Sequence, residues 1–369
     1  MLIEVHAIQS FGPTNLNRDD TGNPKEALFG GVRRARISSQ AAKRALRVSP
    51  IFEREVAVPT GRRTKLLIGR LEDILAGEGI PADQASAAAA ATITAVFASP
   101  DKKDAKKTNV LVFISDDEMQ LLADYALSAV RDGKPLDEKA LKNDLTRRLK
   151  GRRLAPDIAL FGRMLADNPS VSVEAACQVA HALSTHEVNT EFDYFTAVDD
   201  LQPGEESGAG MLGLVAFNSA TYYRCARLDH EQLVANLGDD GELARRTIAG
   251  FLKAFALVVP SGKQNSFVNQ HAPDFLLAVV RPDHDGQSLD NAFERPVRAR
   301  GGGYVEPSIH ALAQYWEAVD PVYRLSQPRL AVLNPRRYEL PSAELMAAMQ
   351  PDLRAWVGAV MQALAEAQG

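Results

Sequence analysis

Between Ala27 and Phe52 the chain carries no acidic residue, yet the stretch GGVRRARISSQAAKRALR (30–47) inside it holds Arg33, Arg34, Arg36, Lys43, Arg44 and Arg47. Local structure is legible here. Gly30-Gly31 permits a tight reversal, and Ser38 or Ser39 is a good N-cap for a helix running to about Val48. At 100° per residue, Ala42, Ala45 and Leu46 share one face, while Gln40, Lys43, Arg44 and Arg47 share the other. The small alanines let this helix sit close on a sheet with its basic face outward. Its first N–H groups, at Ser38 to Gln40, add a phosphate-binding end. A charge run is ordinarily a solvated face. A solvated face ordinarily mixes signs, however, and this one does not, which favours contact with a polyanion.

The whole chain is acidic, with a formal charge of −5, so any nucleic-acid contact must come from a concentrated patch. Two cysteines, Cys177 and Cys225, form neither a disulfide framework nor a zinc pattern and fit a reducing compartment. MLIEVHAIQS lacks the layout of a signal peptide. The longest apolar run, at 85–98, is alanine-rich and shorter than the ~20 residues a bilayer needs. A cytoplasmic protein with no membrane partner is expected.

In chain order, 2–9 alternates as an opening strand and 11–25 reads as a loop. Residues 54–183 read as mostly helical (63–76, 83–97, 115–131, 137–149 and 172–183), with one short strand at 109–115. Two basic clusters decorate this block, Lys102 to Lys107 as a disordered or solvated loop and Arg147 to Arg153 as a weaker second candidate for phosphate contact. The runs 185–196 and 213–227 are rich in aromatic and β-branched residues and form a long hairpin. Tyr194, Phe195, Leu212, Leu214 and Phe217 on it either protrude, as a partner surface or base wedge, or fold back into the core. A helix over 231–255, a polar loop PSGKQNSFVNQ, a last strand at 275–280 and a helix over 307–319 follow. The order strand, helix, interrupted hairpin, helix, strand matches the split βαβ, ferredoxin-like pattern: an α+β fold with an antiparallel sheet and two inserts.

Three stretches, LNRDD…ALFGGVRRARISSQAAKRALR, STHEVNTEFDYFTAVDDL and VPSGKQNSF, together resemble the CasC family, the backbone subunit of type I-E CRISPR surveillance complexes. ALFGRMLAD and EPSIHALAQYW are similar to it too. The resemblance spans nearly the whole chain in the same order. It implies an RRM-like palm (1–53 with 215–369), helical fingers (54–183) and a hairpin thumb (184–214). It also implies copies of the chain stacked in a filament along a CRISPR RNA, beside other Cascade subunits. The guide is displayed for pairing with target DNA. Carried over residue by residue, the guide contacts are Arg34, Arg36, Ser38, Ser39, Gln40, Lys43, Arg44 and Arg47, the loop Ser261, Gly262, Lys263 and Gln264, and Met164 beside the bases. Asn17 and Arg18 fall in a matching loop. Tyr194, Phe195, Thr196 and Leu214 belong to the base-displacing thumb. A subunit that accepts any spacer must hold phosphates rather than base edges and part the bases with apolar groups.

No catalytic residue, metal or cofactor is expected. Two enzymatic alternatives stand beside this. One is metal-assisted RNA cleavage through Asp19 and Asp20, against a reading in which they order their own loop. The other is guide processing by a histidine base, with His6 and His186 the positions to mutate among His6, His181, His186, His230, His271, His284 and His310. There is no GxxxxGK[ST] loop and no metal-ligand spacing. GGGYV (301–305) is a weak phosphate-loop signal.

Overall fold

The computed structural model describes residues 1–133, 138–197, 211–283, 286–299 and 301–367. Residues 202–210 of the hairpin, the Leu212 side chain, His284 and Arg300 lie outside what is described. The chain divides into two compact units, one of residues 1–52, 178–228 and 249–369, the other of 53–177 and 229–248. The architecture is mixed α and β. Among the described residues no helix is long and apolar enough to cross a membrane.

The strands are β1 (Leu2–Thr14), β2 (Glu26–Phe29), β3 (Val32–Ile37), β4 (Arg62–Thr64), β5 (Val112–Ile114), β6 (Cys177–Val179), β7 (Ala182–Ser184), β8 (Glu191–Ala197), β9 (Met211–Asp229), β10 (Phe275–Arg281) and β11 (Arg329–Leu333). The first unit is organised by a sheet of order β11-β10-β1-β9-β7-β3-β2, with β8 extending the long β9. β1 pairs antiparallel with β10, as do β10 with β11, β3 with β7 and β7 with β9. β10, FLLAVVR, is buried along its whole length, the mark of a strand covered on both faces. Ile309, Leu312, Ala313 and Trp316 of the helix Val305–Tyr323 pack with its Phe275, Leu277 and Val279. Their spacing of three and four is one helical face meeting the sheet. The β2–β3 reversal is Gly30-Gly31 with φ of 58° and 78°, the two positive values that a two-residue hairpin of this hand requires.

The second unit builds its own core from helices. Leu67, Leu71 and Leu75 meet Ala85, Ala88, Ala89 and Ile93, closed by Met119, Leu122 and Ala126. The helix Asp116–Arg131 begins at a capping box in which Ser115 and Glu118 each bond the other's backbone.

Several sequence expectations are corrected. Residues 172–183 are not a helix, because Ala182 and Leu183 pair with Ile37 and Arg36 and, on the other side, Leu183 pairs with Tyr223; sheet pairing outweighs alanine's helical propensity. The helix over 231–255 is two, His230–Asn236 and Gly241–Leu257, parted where Gly238 and Asp239 take positive φ. Residues 62–64 form β4 against β5, so the next helix starts only at Leu67. β10 is not the last strand, since β11 and the helix Leu353–Glu366 follow, tied by Trp356 Nε1–H donating to Ala331 O at 3.0 Å.

Two buried histidines make the first unit acid-sensitive. His6 lies 2.8 Å from the Tyr223 hydroxyl, and burial pushes its imidazole down to about 3. His186 stacks on Tyr304 at 3.6 Å between ring centroids; its Nδ1–H donates to Glu187 O and its Nε2 accepts Thr221 N–H. Burial lowers it too. Both are neutral when folded, whereas the unfolded chain protonates them near 6.5. Their contribution is therefore intact above that pH and is lost as pH falls toward the folded values. By about pH 4.5, His6 alone should account for ~2–3 kcal/mol of lost stability. Urea unfolding at both pH values, with and without His6→Asn, checks this; an unchanged acid dependence in the variant contradicts it.

Candidate nucleic-acid interface

The basic helix α1 (Ser39–Arg47) is capped as its sequence suggests. Ser38 Oγ accepts Ala41 N–H at 3.3 Å, Asn17 Oδ1 accepts Ser38 N–H at 2.8 Å, and His181 Nδ1 accepts Ser39 N–H at 3.3 Å. Leu46 is buried beneath it, Gln40 and Arg44 are exposed, and Lys43 and Arg47 are half-buried. Arg36, at the end of β3, is half-exposed with Nε–H donating to Glu26 O at 3.2 Å. The 261–264 loop reaches the same surface because Gly262 has no side chain. A Cβ there would lie 2.3 Å from Leu16 O and 2.9 Å from Asn15 O, so the loop rests directly on the backbone that leads to Asn17 and the exposed Arg18. Leu16, Arg44, Ser261 and Gly262 line one open groove of about 390 Å³. Asn17, Arg18, Arg36, α1 and the Ser261–Gln264 loop are thus gathered on the first unit.

Not every predicted contact is free to act. Arg34 is fully buried, and its guanidinium donates to Phe29 O, Ser184 O and Phe293 O at 2.8–3.1 Å. It is a clamp, not a surface cation. The Ser38 oxygen accepts the cap bond from Ala41 N–H. Both ends of the Gln264 amide close their own loop, accepting Asn269 N–H at 2.8 Å and donating to Pro260 O at 3.0 Å. Arg33 is paired with Glu26 at 2.7 Å. The helix end offers less than expected, because Ser39 and Ala41 N–H groups already have partners.

On the hairpin, Tyr194 lies opposite Leu214, Phe195 opposite Gly213 and Phe192 opposite Ala216. Residues directly opposite share a face, so Phe192, Tyr194 and Leu214 form one apolar face, 60%, 64% and 63% exposed. Thr196 is exposed on the same parity. Phe195 is on the other face, its ring lying over Gly213, where a Cβ would be 2.1 Å away. Its first role is to hold the hairpin. Phe192 escaped the sequence reading, although its i, i+2 relation to Tyr194 was the available signal. Phe217 packs instead against Phe267, with centroids 6.0 Å apart.

Met164 belongs to the second unit and is 91% exposed. Its neighbour Arg163 is buried, donating to Glu118 Oε1 at 2.9 Å, Phe113 O at 3.0 Å and Val171 O at 3.1–3.2 Å. The backbone of Arg163 also bonds Val173 in both directions. Met164 thus projects beside a firmly held residue.

The model of the CT1975-like protein family matches residues 3–358. The chain belongs to this family. It is 30% identical to a chain of a structure described as "CRISPR RNA-guided surveillance complex, pre-nicking", covering 98% of this chain and 100% of that one with a TM-score of 0.84. A chain of a "CRISPR RNA-guided surveillance complex" is 27% identical over 98% of this chain and 100% of that one, with a TM-score of 0.75. No curated protein matches. These matches show the resemblance to a subunit of a CRISPR RNA-guided surveillance complex.

In this CT1975-like chain three of the residues named for the enzymatic alternatives have structural partners. Asp19 Oδ1 accepts Thr21 N–H, the Thr21 hydroxyl and Asn23 N–H at 2.8–2.9 Å, and these bonds, the threonine hydroxyl first, hold its carboxyl below the usual range. It orders its own loop. Among the described residues no three His, Cys, Asp or Glu side chains converge as a metal cage. His6 and His186 are buried. In the basic clusters of the second unit, Asp144 takes Arg147 and Arg148, Glu72 takes Lys106 and Asp104 takes Lys107.

Proposed function

We propose that this chain is the repeating, non-catalytic backbone subunit of a type I-E CRISPR surveillance complex, gripping guide RNA without reading its sequence and displaying it for pairing with target DNA. The observation that carries the reading is the surface formed by Arg36, α1 and the 261–264 loop, cationic and free of acids along 27–52. The strand order β10-β1-β9-β7, with α1 between β1 and β7 in sequence, supports an RRM-like palm. The helical second unit then serves as fingers, presenting Met164. The β8–β9 hairpin serves as thumb, its Phe192–Tyr194–Leu214 face parting bases and meeting the next copy in a filament capped by other Cascade subunits.

Binding to unrelated single-stranded RNAs tests this. Affinities should agree across sequences and fall steeply with salt, by roughly 0.7 log units per log unit of salt for each phosphate contact. The double variant Phe192→Ser/Tyr194→Ser should keep single-copy affinity within about threefold and lose cooperative filament assembly in analytical ultracentrifugation. Strong sequence preference, or equal loss of both properties, contradicts the reading.

A further inference from the structure

His181 is a titratable side chain placed among the gathered cations that the strand-binding reading does not use. It is exposed, and its Nδ1 is approached by two donors, Ser39 N–H and Arg36 Nη1, each at 3.3 Å. A ring nitrogen facing two N–H groups must be the unprotonated one, so the neutral ring carries its hydrogen on Nε2. Nε2 has no protein partner among the described residues. The charged groups facing the ring are Arg36 from β3 and Lys25 from the loop before β2; no carboxylate accompanies them there. Burial, then these two cations, hold the imidazole below its ordinary value, so it stays neutral at physiological pH. Three constraints therefore coincide. The ring cannot turn without stripping an acceptor from Arg36, cannot charge without facing two donors, and points its remaining N–H away from both.

We propose that His181 is a neutral contact for the bound strand, its Nε2–H donating to a phosphodiester oxygen held beside Arg36. This deepens, and rests on, the strand-binding reading. A histidine suits the position because it does two things with one ring. Through Nδ1 it fixes the Arg36 guanidinium, and through Nε2 it adds a hydrogen bond to the same anion. Being neutral, it adds affinity without adding a counterion-releasing charge.

The test uses His181→Asn in the full-length protein, since asparagine Oδ1 replaces Nδ1 as acceptor for Ser39 and Arg36 while the Nε2–H is lost. Melting temperature should match the unaltered protein. Affinity for a single-stranded RNA should fall about tenfold, the scale of one hydrogen bond to a charged group. The salt slope should be unchanged, unlike that of Lys43→Ala, which should lose one contact. Equal affinity in the variant overturns the contact, and a slope reduced by one contact overturns its neutrality. Long-range ¹H–¹⁵N spectra of the unaltered protein should show the Nε2–H tautomer and a shift of that signal on adding RNA; an Nδ1–H tautomer overturns the assignment even if the variant folds poorly. RNA binding absent from the unaltered protein overturns the strand-binding reading itself, and this contact with it.

Discussion

Arg163→Ala is expected to destabilise the second unit by about 3–5 kcal/mol, the scale for breaking one side of a buried ion pair. Arg163 and Glu118 are both almost wholly buried. The guanidinium reaches the Phe113 and Val171 carbonyls besides the carboxylate and lies over the Phe97 ring at 5.3 Å. Removing it takes the guanidinium from the buried Glu118 carboxylate, leaving it its Ser115 bonds, and strips partners from two carbonyls. Glu118 also closes the capping box of Asp116–Arg131, so the damage spreads to a helix that supplies Met119, Leu122 and Ala126 to the core. Arg163→Lys should recover little, because one ammonium cannot span acceptors placed for a planar fork. Circular dichroism melting and limited proteolysis within 53–177 measure the effect. A loss below about 1.5 kcal/mol would mean the pair is dispensable and Met164 is not rigidly presented.

Features set by neighbours a few residues apart were legible in the sequence. Gly30-Gly31 makes its hairpin, Ser38 caps α1, Leu46 turns inward while Gln40 and Arg44 turn out, and Ser115 opens its helix. The unbroken apolar run that marks β10 is likewise local. Features set by distant partners were not. Arg34 and Arg36 have the same parity on β3 and the same chemistry. Arg34 becomes a clamp only because Ser184 and Phe293, 150 and 259 residues away, bring carbonyls to it. Residues 182–183 read as helix until β3 and β9 are placed on either side. His181 has no local partner pattern in the sequence, because its partners lie 142 and 145 positions away. For the break at Gly238-Asp239 the signal was present, but the continuing apolar pattern masked it.

Charge-neutral replacement of Arg36, Lys43 and Arg47 together by glutamine is expected to abolish guide retention under ordinary salt, and Arg34→Gln supplies the contrast that makes the result interpretable. Three lost phosphate contacts should flatten the salt slope by roughly 2 and weaken affinity on the order of a hundredfold near about 0.15 M salt. Preference among unrelated RNA sequences should not change, because phosphates carry no letters. The fold should survive. These side chains lie on the partly exposed side of β3 and α1, and glutamine keeps much of each apolar stem and suits a helix. Arg34→Gln should behave in the opposite way. It removes donors from carbonyls buried beneath the β2–β3 hairpin, so melting temperature should fall while the salt slope of whatever remains folded stays as it was. If the triple variant binds RNA with an unaltered slope, the acid-free segment is a solvated face after all, and no arrangement of the hairpin or of Met164 rescues a strand-binding role for it. If Arg34→Gln alone flattens the slope, the guanidinium leaves its carbonyls to meet the strand, and its place at the centre of the hairpin clamp is wrong.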